Sequence, residues 1–123
     1  MQRKINQSVE DYLETILILS KNLDKVRSID IAKYMNISKP SVSVAMKKLR
    51  ETEDIFVDKK GHIYLTGKGN KTATSVYEKH EFLRNFFIDL GIEPELAKND
   101  ACAIEHVISE EVFDAFKKYV NNK

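Results

Sequence analysis

The sequence has little of several residue types that mark other classes of protein. Its 123 residues include one cysteine, no tryptophan, two prolines and four glycines. A single cysteine cannot form an internal disulfide, so we expect a cytoplasmic protein rather than a disulfide-rich secreted domain. No run of apolar residues is longer than four (Ile16 to Leu19 is one such run), so no membrane span or secretory signal is predicted. The low proline and glycine content, with 42% apolar residues, argues against disorder.

The charge of the chain is distributed unevenly, although its net value is only +1. Residues 1–71 carry 14 lysines and arginines against 9 acidic residues, whereas residues 72–123 carry 6 against 10. A basic half suits contact with a polyanion such as nucleic acid, and the acidic half then has a different task.

Hydrophobic periodicity predicts a helix-turn-helix in the basic half. Apolar residues at three- and four-residue spacing predict a first helix over 7–21. Ser28 is the expected N-cap of a short helix over 29–35, and Ser38 or Lys39 that of a helix that contains Pro40 and ends near Glu51. Two short helices separated by a tight turn are typical of this motif.

The period then changes from helical to extended. Residues 55–57 and 62–65 flank Gly61 and predict a β-hairpin, which behind a helix-turn-helix is a wing. Thr66 is the expected cap of a long helix that ends before Gly91. Pro94 opens a helix predicted to reach Ile108, and Ser109 caps a last one. The fold class is therefore mainly α: a winged helix-turn-helix domain over 1–66 and a helical domain over 67–123.

The third helix has one face that suits the major groove of DNA. A helical wheel predicts that Val42, Ala45, Met46 and Leu49 are buried, and that small hydroxyls, one aliphatic side chain and lysines face outward. Lysines and Arg27 would pair with phosphates. The predicted DNA-binding residues are Arg27, Ser38, Lys39, Pro40, Ser41, Ser43, Val44, Lys47, Lys48, Lys59 and Lys60. We expect His62 to be solvated or near a phosphate, and assign it no metal.

The acidic half contains a candidate metal site. Cys102, Glu105 and His106 at i, i+3 and i+4 bring a thiolate, a carboxylate and an imidazole to one helix face. Asp11 and Glu14, one helical turn apart, offer a pair of carboxylates. The structural alternative is that Cys102 is a small packed side chain and that the two acids favour their helix dipole.

Three segments together resemble the diphtheria toxin repressor family of iron- and manganese-dependent bacterial transcription regulators. The segments are 10–14 (EDYLE), 79–81 (KHE) and 99–109 (NDACAIEHVIS), and Leu65-Thr66-Gly67-Lys68-Gly69 after the wing also matches. The resemblance implies a homodimer of a short form without the SH3-like domain, with a helical dimerisation domain and metal bound by Asp11, Glu14, His80, Cys102, Glu105 and His106. Asp11 is similar to the manganese regulators and Cys102 to the iron regulators, whereas Arg84 and Lys98 replace ancillary ligands of the iron type.

The resemblance implies a metal-dependent repressor of metal-uptake genes, with Mn²⁺ or Fe²⁺ as the cofactor and a palindromic operator on double-stranded DNA as the partner. Zn²⁺, Co²⁺ and Cd²⁺ are also expected to bind in vitro, since a thiolate favours them. Two alternatives stay open. One is a metal-independent winged-helix regulator or protein-interaction module. The other, a metallo-hydrolase, is disfavoured because no general base is found outside the ligand set.

Overall fold

The computed structural model describes residues 7–122, and their side chains from Val9 onward. These residues form six helices and one two-stranded antiparallel sheet. Their bounds are α1 (Gln7–Asn22), α2 (Ser28–Met35), α3 (Lys39–Glu51), β1 (Ile55–Val57), β2 (Ile63–Leu65), α4 (Gly67–Asp89), α5 (Pro94–Ile104) and α6 (Glu110–Asn121). The chain divides into two compact units, residues 7–75 and residues 76–122, with the division inside α4.

The N-terminal unit (residues 7–75) is built on the apolar faces of α1, α2 and α3, covered by the hairpin. Each of these elements contributes buried side chains to the core, among them Leu13, Ile16, Ile31, Val42, Leu49, Ile55 and Ile63. The hairpin pairs Phe56 with Tyr64 in register, so Ile55 and Ile63 face the core while Phe56 and Tyr64 stack on the outer face. The predicted winged helix-turn-helix is confirmed, because period-two and period-3.6 patterns each bury one face.

Residues with positive φ end α2 and turn the hairpin. Asn36 ends α2 in the left-handed conformation (φ 56°), and Gly61 turns the hairpin with φ 83°.

Gly69, in the first turn of α4, packs directly on the backbone carbonyl of Asp54, so that a Cβ atom there would overlap it. The Thr66 hydroxyl caps α4 as predicted, accepting from Gly69 N at 3.1 Å.

The C-terminal unit (residues 76–122) holds the end of α4 with α5 and α6. Its centre is aromatic: the Phe82 ring meets the edge of Phe113 with centroids 5.5 Å apart. Gly91 follows α4 with φ 93°, as predicted for a helix C-terminus. Ser109 caps α6 as predicted, accepting from Val112 N at 3.2 Å.

Two predicted boundaries are wrong. The N-cap of α2 is Arg27 and not Ser28, because the Asp30 carboxylate accepts from Arg27 N at 2.9 Å and helical geometry begins at Ser28. Helix α5 ends at Ile104 and not at Ile108, since Val107 N donates to Ile104 O in a tighter three-residue turn. Among the described residues, there is no helix with the length and hydrophobicity to cross a membrane.

Candidate metal centre and nucleic-acid interface

Helix α3 presents the outward face that its sequence predicts. Val42, Met46 and Leu49 are buried, while Val44 is 66% exposed. The other outward side chains are also exposed: Lys39, Pro40, Ser41, Ser43, Lys47 and Lys48. The helix thus offers small and cationic side chains to a partner, with its apolar side fixed in the core.

The start of α3 is fixed by hydrogen bonds within the turn. The Ser38 hydroxyl caps the helix by accepting from Ser41 N at 3.3 Å, and it donates to Ser41 Oγ at 2.8 Å. Pro40 occupies the first turn, where its missing N–H removes no helical bond. Both Ser38 and Ser41 stay exposed, so the cap pre-orders two hydroxyls beside the outward face.

The wing is braced by a buried histidine, which corrects our expectation that His62 is solvated. His62 Nδ1 lies 3.0 Å from Asp58 Oδ2, and its Nε2 lies 3.0 Å from the Arg27 guanidinium. Arg27 also donates to the Lys60 carbonyl at 3.3 Å. Backbone hydrogen bonds from Lys60 and His62 lower the pKa of Asp58, with His62 N the larger contributor. His62 therefore bridges a carboxylate and a guanidinium, while Lys59 and Lys60 remain exposed at the hairpin turn.

A cavity of about 630 Å³ lies between the start of α2, the middle of α3 and strand β1. Its lining includes Ser28, Ser43, Lys47 and Arg50. Arg50 is not among the predicted DNA-binding residues, but it lines this cavity together with Ser43 and Lys47, which are.

Three potential metal ligands meet within the C-terminal unit. Ligand atoms of His80 (α4), Cys102 (α5) and Glu105 all lie within 4.8 Å of one another. His80 Nδ1 is 3.5 Å from Cys102 Sγ and 3.2 Å from Glu105 Oε2. Glu105 and His106 lie in the turn after α5, not on the helix as expected, and Glu105 Oε1 is 3.5 Å from His106 Nε2.

This cluster suits a metal ion by its donor chemistry. Glu105 Oε2 is buried and accepts no well-aligned hydrogen bond among the described residues, although it lies 3.2 Å from His80 Nδ1 in an ion-pair contact. A buried carboxylate oxygen without a hydrogen bond is costly, and a cation would satisfy it. Metal bonds of about 2.0–2.3 Å place two donors at most about 4.6 Å apart, so the observed spacing needs little adjustment. Cys102 is an exposed residue beside the two buried ones, so an ion could enter from its side.

Without metal, this arrangement favours a charged imidazole. The neighbouring Cys102 thiol, and next the Glu105 carboxylate, raise the pKa of His80 to about 10, although partial burial opposes the shift. His80 is then protonated at neutral pH, and its proton competes with a metal ion for the same nitrogen.

Two further predicted ligands lie on α1, in the N-terminal unit. Glu14 is buried and Asp11 is partly exposed, one helical turn away. Both have interaction partners. Their place in the same metal site as His80 stays a prediction.

Two family models together match almost the whole chain. The model described as "Iron dependent repressor, N-terminal DNA binding domain" matches residues 4–63. The model described as "Iron dependent repressor, metal binding and dimerisation domain" matches residues 66–123. The chain belongs to the iron-dependent repressor family. Membership confirms the resemblance drawn from the sequence, and the family consists of transcription regulators rather than enzymes.

Individual repressor relatives agree with this assignment. The transcriptional regulator MntR of Escherichia coli is 34% identical over 111 residues, covering 90% of this chain and 72% of MntR. The manganese regulator SloR is 31% identical with a TM-score of 0.81, covering 98% of this chain and 56% of SloR. ScaR, solved with bound Zn²⁺, is 31% identical with a TM-score of 0.78, covering 94% and 54%. The chain spans about half the length of these two solved regulators.

Proposed function

We propose that this repressor-family chain is a metal-dependent, DNA-binding transcription regulator that represses metal-uptake genes as a homodimer on a palindromic operator. The family assignment supports DNA binding, metal binding and dimerisation. A metal-independent regulator is not favoured, since the model matching the C-terminal half is that of a metal-binding domain.

DNA would be read by the outward face of α3. Small side chains such as Ser41 and Ser43 let the helix backbone approach the base edges, and the exposed Val44 suits a thymine methyl group. Lys47 and Lys48 would pair with phosphates, which adds affinity without sequence information. Arg50, near the end of α3, lies on the same side of the helix as Ser43 and Lys47, so we expect few bidentate base contacts and a contribution to specificity from readout of DNA shape.

The wing and the start of α2 would hold the flanking backbone of the DNA. Lys59 and Lys60 are exposed at the hairpin turn. Arg27 is exposed too, but its guanidinium is occupied by His62 and the Lys60 carbonyl. We therefore expect Arg27 to support the wing as well as to meet a phosphate, so its loss would act on both.

The metal would be held by His80, Cys102, Glu105 and His106, joined by Asp11 and Glu14 on the strength of the family resemblance. The ion would be Mn²⁺ or Fe²⁺, with Zn²⁺, Co²⁺ or Cd²⁺ also bound in vitro. Named relatives support this range, since SloR is a manganese regulator and ScaR was solved with Zn²⁺. A thiolate together with hard carboxylates suits several divalent ions, so affinity alone would not select one.

The single observation that carries the proposal is the close grouping of His80, Cys102 and the buried Glu105, whose Oε2 accepts no well-aligned hydrogen bond among the described residues. When bound, the cation supplies positive charge that offsets the clustered carboxylates and thiolate. The ligand side chains then hold their helices in one arrangement, so that two α3 helices of a dimer fit half-sites about 34 Å apart. By linkage, metal and DNA raise each other's affinity by the same factor.

Dimerisation has support in the side chains of the C-terminal unit. Leu96, Val107 and Tyr119 are all more than half exposed, although they are apolar or aromatic. Such side chains are enriched where a surface is covered by a partner. The family description assigns dimerisation to this half of the chain.

A DNA-binding assay tests the proposal. Duplexes would be selected from a randomised pool with the protein and Mn²⁺, and their affinity measured by fluorescence anisotropy with Mn²⁺ or with chelator. We expect binding that depends on metal in the wild type and is weak under both conditions in His106→Ala. Equal affinity with and without metal, in both proteins, would contradict the proposed switch.

A further inference from the structure

A buried lysine lies next to the candidate metal centre and has no role in the function described so far. The Lys79 side chain is only 7% exposed, and its Nζ lies 2.6 Å from Glu110 Oε1. Lys79 directly precedes His80 on α4, and Glu110 is the first residue of α6. Burying an ammonium group is unfavourable unless it is paired, so Lys79 depends on this contact, although the Glu110 side chain itself is 65% exposed.

Lys79 and His80, which are consecutive in α4, therefore contact the two ends of the segment 105–110. His80 contacts Glu105 at the start of the turn, with 3.2 Å between Nδ1 and Oε2. Lys79 contacts Glu110 immediately after the turn. The segment between these contacts contains His106, whose side chain is buried.

A second ion pair between the same two helices provides a comparison. Glu78 and Lys117 also join α4 to α6, with 3.0 Å between Oε1 and Nζ. Their side chains are 56% and 34% exposed, and exposed ion pairs of this kind constrain their partners little. Burial therefore distinguishes Lys79 from its neighbour, and the difference is testable with one type of substitution.

We infer that Lys79 is a positioning residue for the metal centre. By fixing the start of α6 against α4, it holds the preceding turn so that Glu105 and His106 remain placed to act as ligands. This inference rests on the proposed binding of metal at this site. It adds Lys79, whose partner Glu110 is not one of the proposed ligands.

The test compares Lys79→Met with Lys117→Met, two identical changes at the same pair of helices. Co²⁺ affinity would be measured by titration of its absorption, which also reports a thiolate ligand. We expect Lys79→Met to bind Co²⁺ up to about tenfold more weakly, because Lys79 acts through the turn and tenfold is the low end for a residue that contacts a ligand directly. Lys117→Met should stay within about twofold of wild type. Lys79→Arg, which keeps the charge, should recover most of the loss.

A second readout uses the protein without metal. In the presence of chelator, amide hydrogen exchange of residues 105–108 should be faster in Lys79→Met than in wild type or Lys117→Met, because the turn has lost one of its two attachments. If Lys79→Met does not fold, Glu110→Gln takes its place, because it removes the charge but keeps a hydrogen-bond acceptor. It should weaken Co²⁺ binding several-fold and speed the same amides.

The possible failures are distinguishable. Unchanged Co²⁺ affinity and unchanged exchange in the folded Lys79 or Glu110 variant would overturn the positioning role alone. An equal loss in Lys117→Met would also overturn it, since that outcome indicates general destabilisation of α6. If wild-type protein bound no Co²⁺, the proposed function would fail and this inference with it.

Discussion

Proton release on metal binding follows directly from the geometry around His80. The Cys102 thiol and the Glu105 carboxylate raise the pKa of His80 to about 10, so in the metal-free protein this imidazole is protonated throughout the neutral range. A metal ligand must be deprotonated, and each ion bound therefore displaces this proton. Displacing one proton makes the apparent metal affinity rise about tenfold per pH unit, or about 100-fold between pH 6 and pH 8.

The other ligands add their own protons, so the informative quantity is a difference between variants. We expect wild-type protein to release about one proton more per ion than His80→Ala at pH 7. Isothermal titration calorimetry in two buffers of different ionisation enthalpy counts these protons directly. Lys117→Met, distant in role from the ligand set, is the control and should release as many protons as wild type. Equal proton release by wild type and His80→Ala would refute the reasoning.

Four further predictions follow from single contacts. In the metal-free protein, the raised pKa of His80 stabilises the fold, and this contribution is complete below the ordinary pKa of 6.5. The free energy of unfolding in urea should therefore fall in wild type, relative to His80→Ala, as the pH rises from 6.5 towards 10. Gly69→Ala should lower the unfolding free energy by about 1–3 kcal/mol, because the added Cβ meets the Asp54 carbonyl; wild-type stability would contradict this packing. His62→Ala should cost about 1–2 kcal/mol in the same assay through its lost wing contacts, and a neutral effect would argue against the brace. Lys47→Ala should reduce the slope of log affinity for DNA against log salt by about one, whereas an unchanged slope would exclude a phosphate contact.

The elements of the N-terminal unit could be predicted because each carries a local signal. The apolar positions of α3 repeat with the helical period, and Ser38 and Pro40 mark its start. The two strands of the hairpin alternate buried and outward side chains. Gly61 lies between them with the positive φ that the turn requires and that glycine adopts easily. Where local preferences and burial agree in this way, pattern alone specifies the element.

Interactions between distant residues could not be predicted in this way. Nothing in the sequence around His62 shows that Arg27 and Asp58 contact its two ring nitrogens, and so the sequence does not predict that His62 is buried. The end of α5 was missed for a related reason: no Gly or Pro follows Ile104, and the helix ends by a tightened turn. For the candidate site, spacing indicated Cys102 and Glu105, but only the fold brings His80 to them.

The most direct test of the central claim is anomalous diffraction from crystals grown with Mn²⁺. The account predicts a peak at the Mn edge with His80, Cys102 and Glu105 in its coordination shell, and with Glu105 Oε2 among the bound atoms. The same map would show whether Asp11, Glu14 and His106 complete the shell. A Mn²⁺-loaded crystal with no peak at Glu105, and with the ion bound at other side chains, would contradict the account.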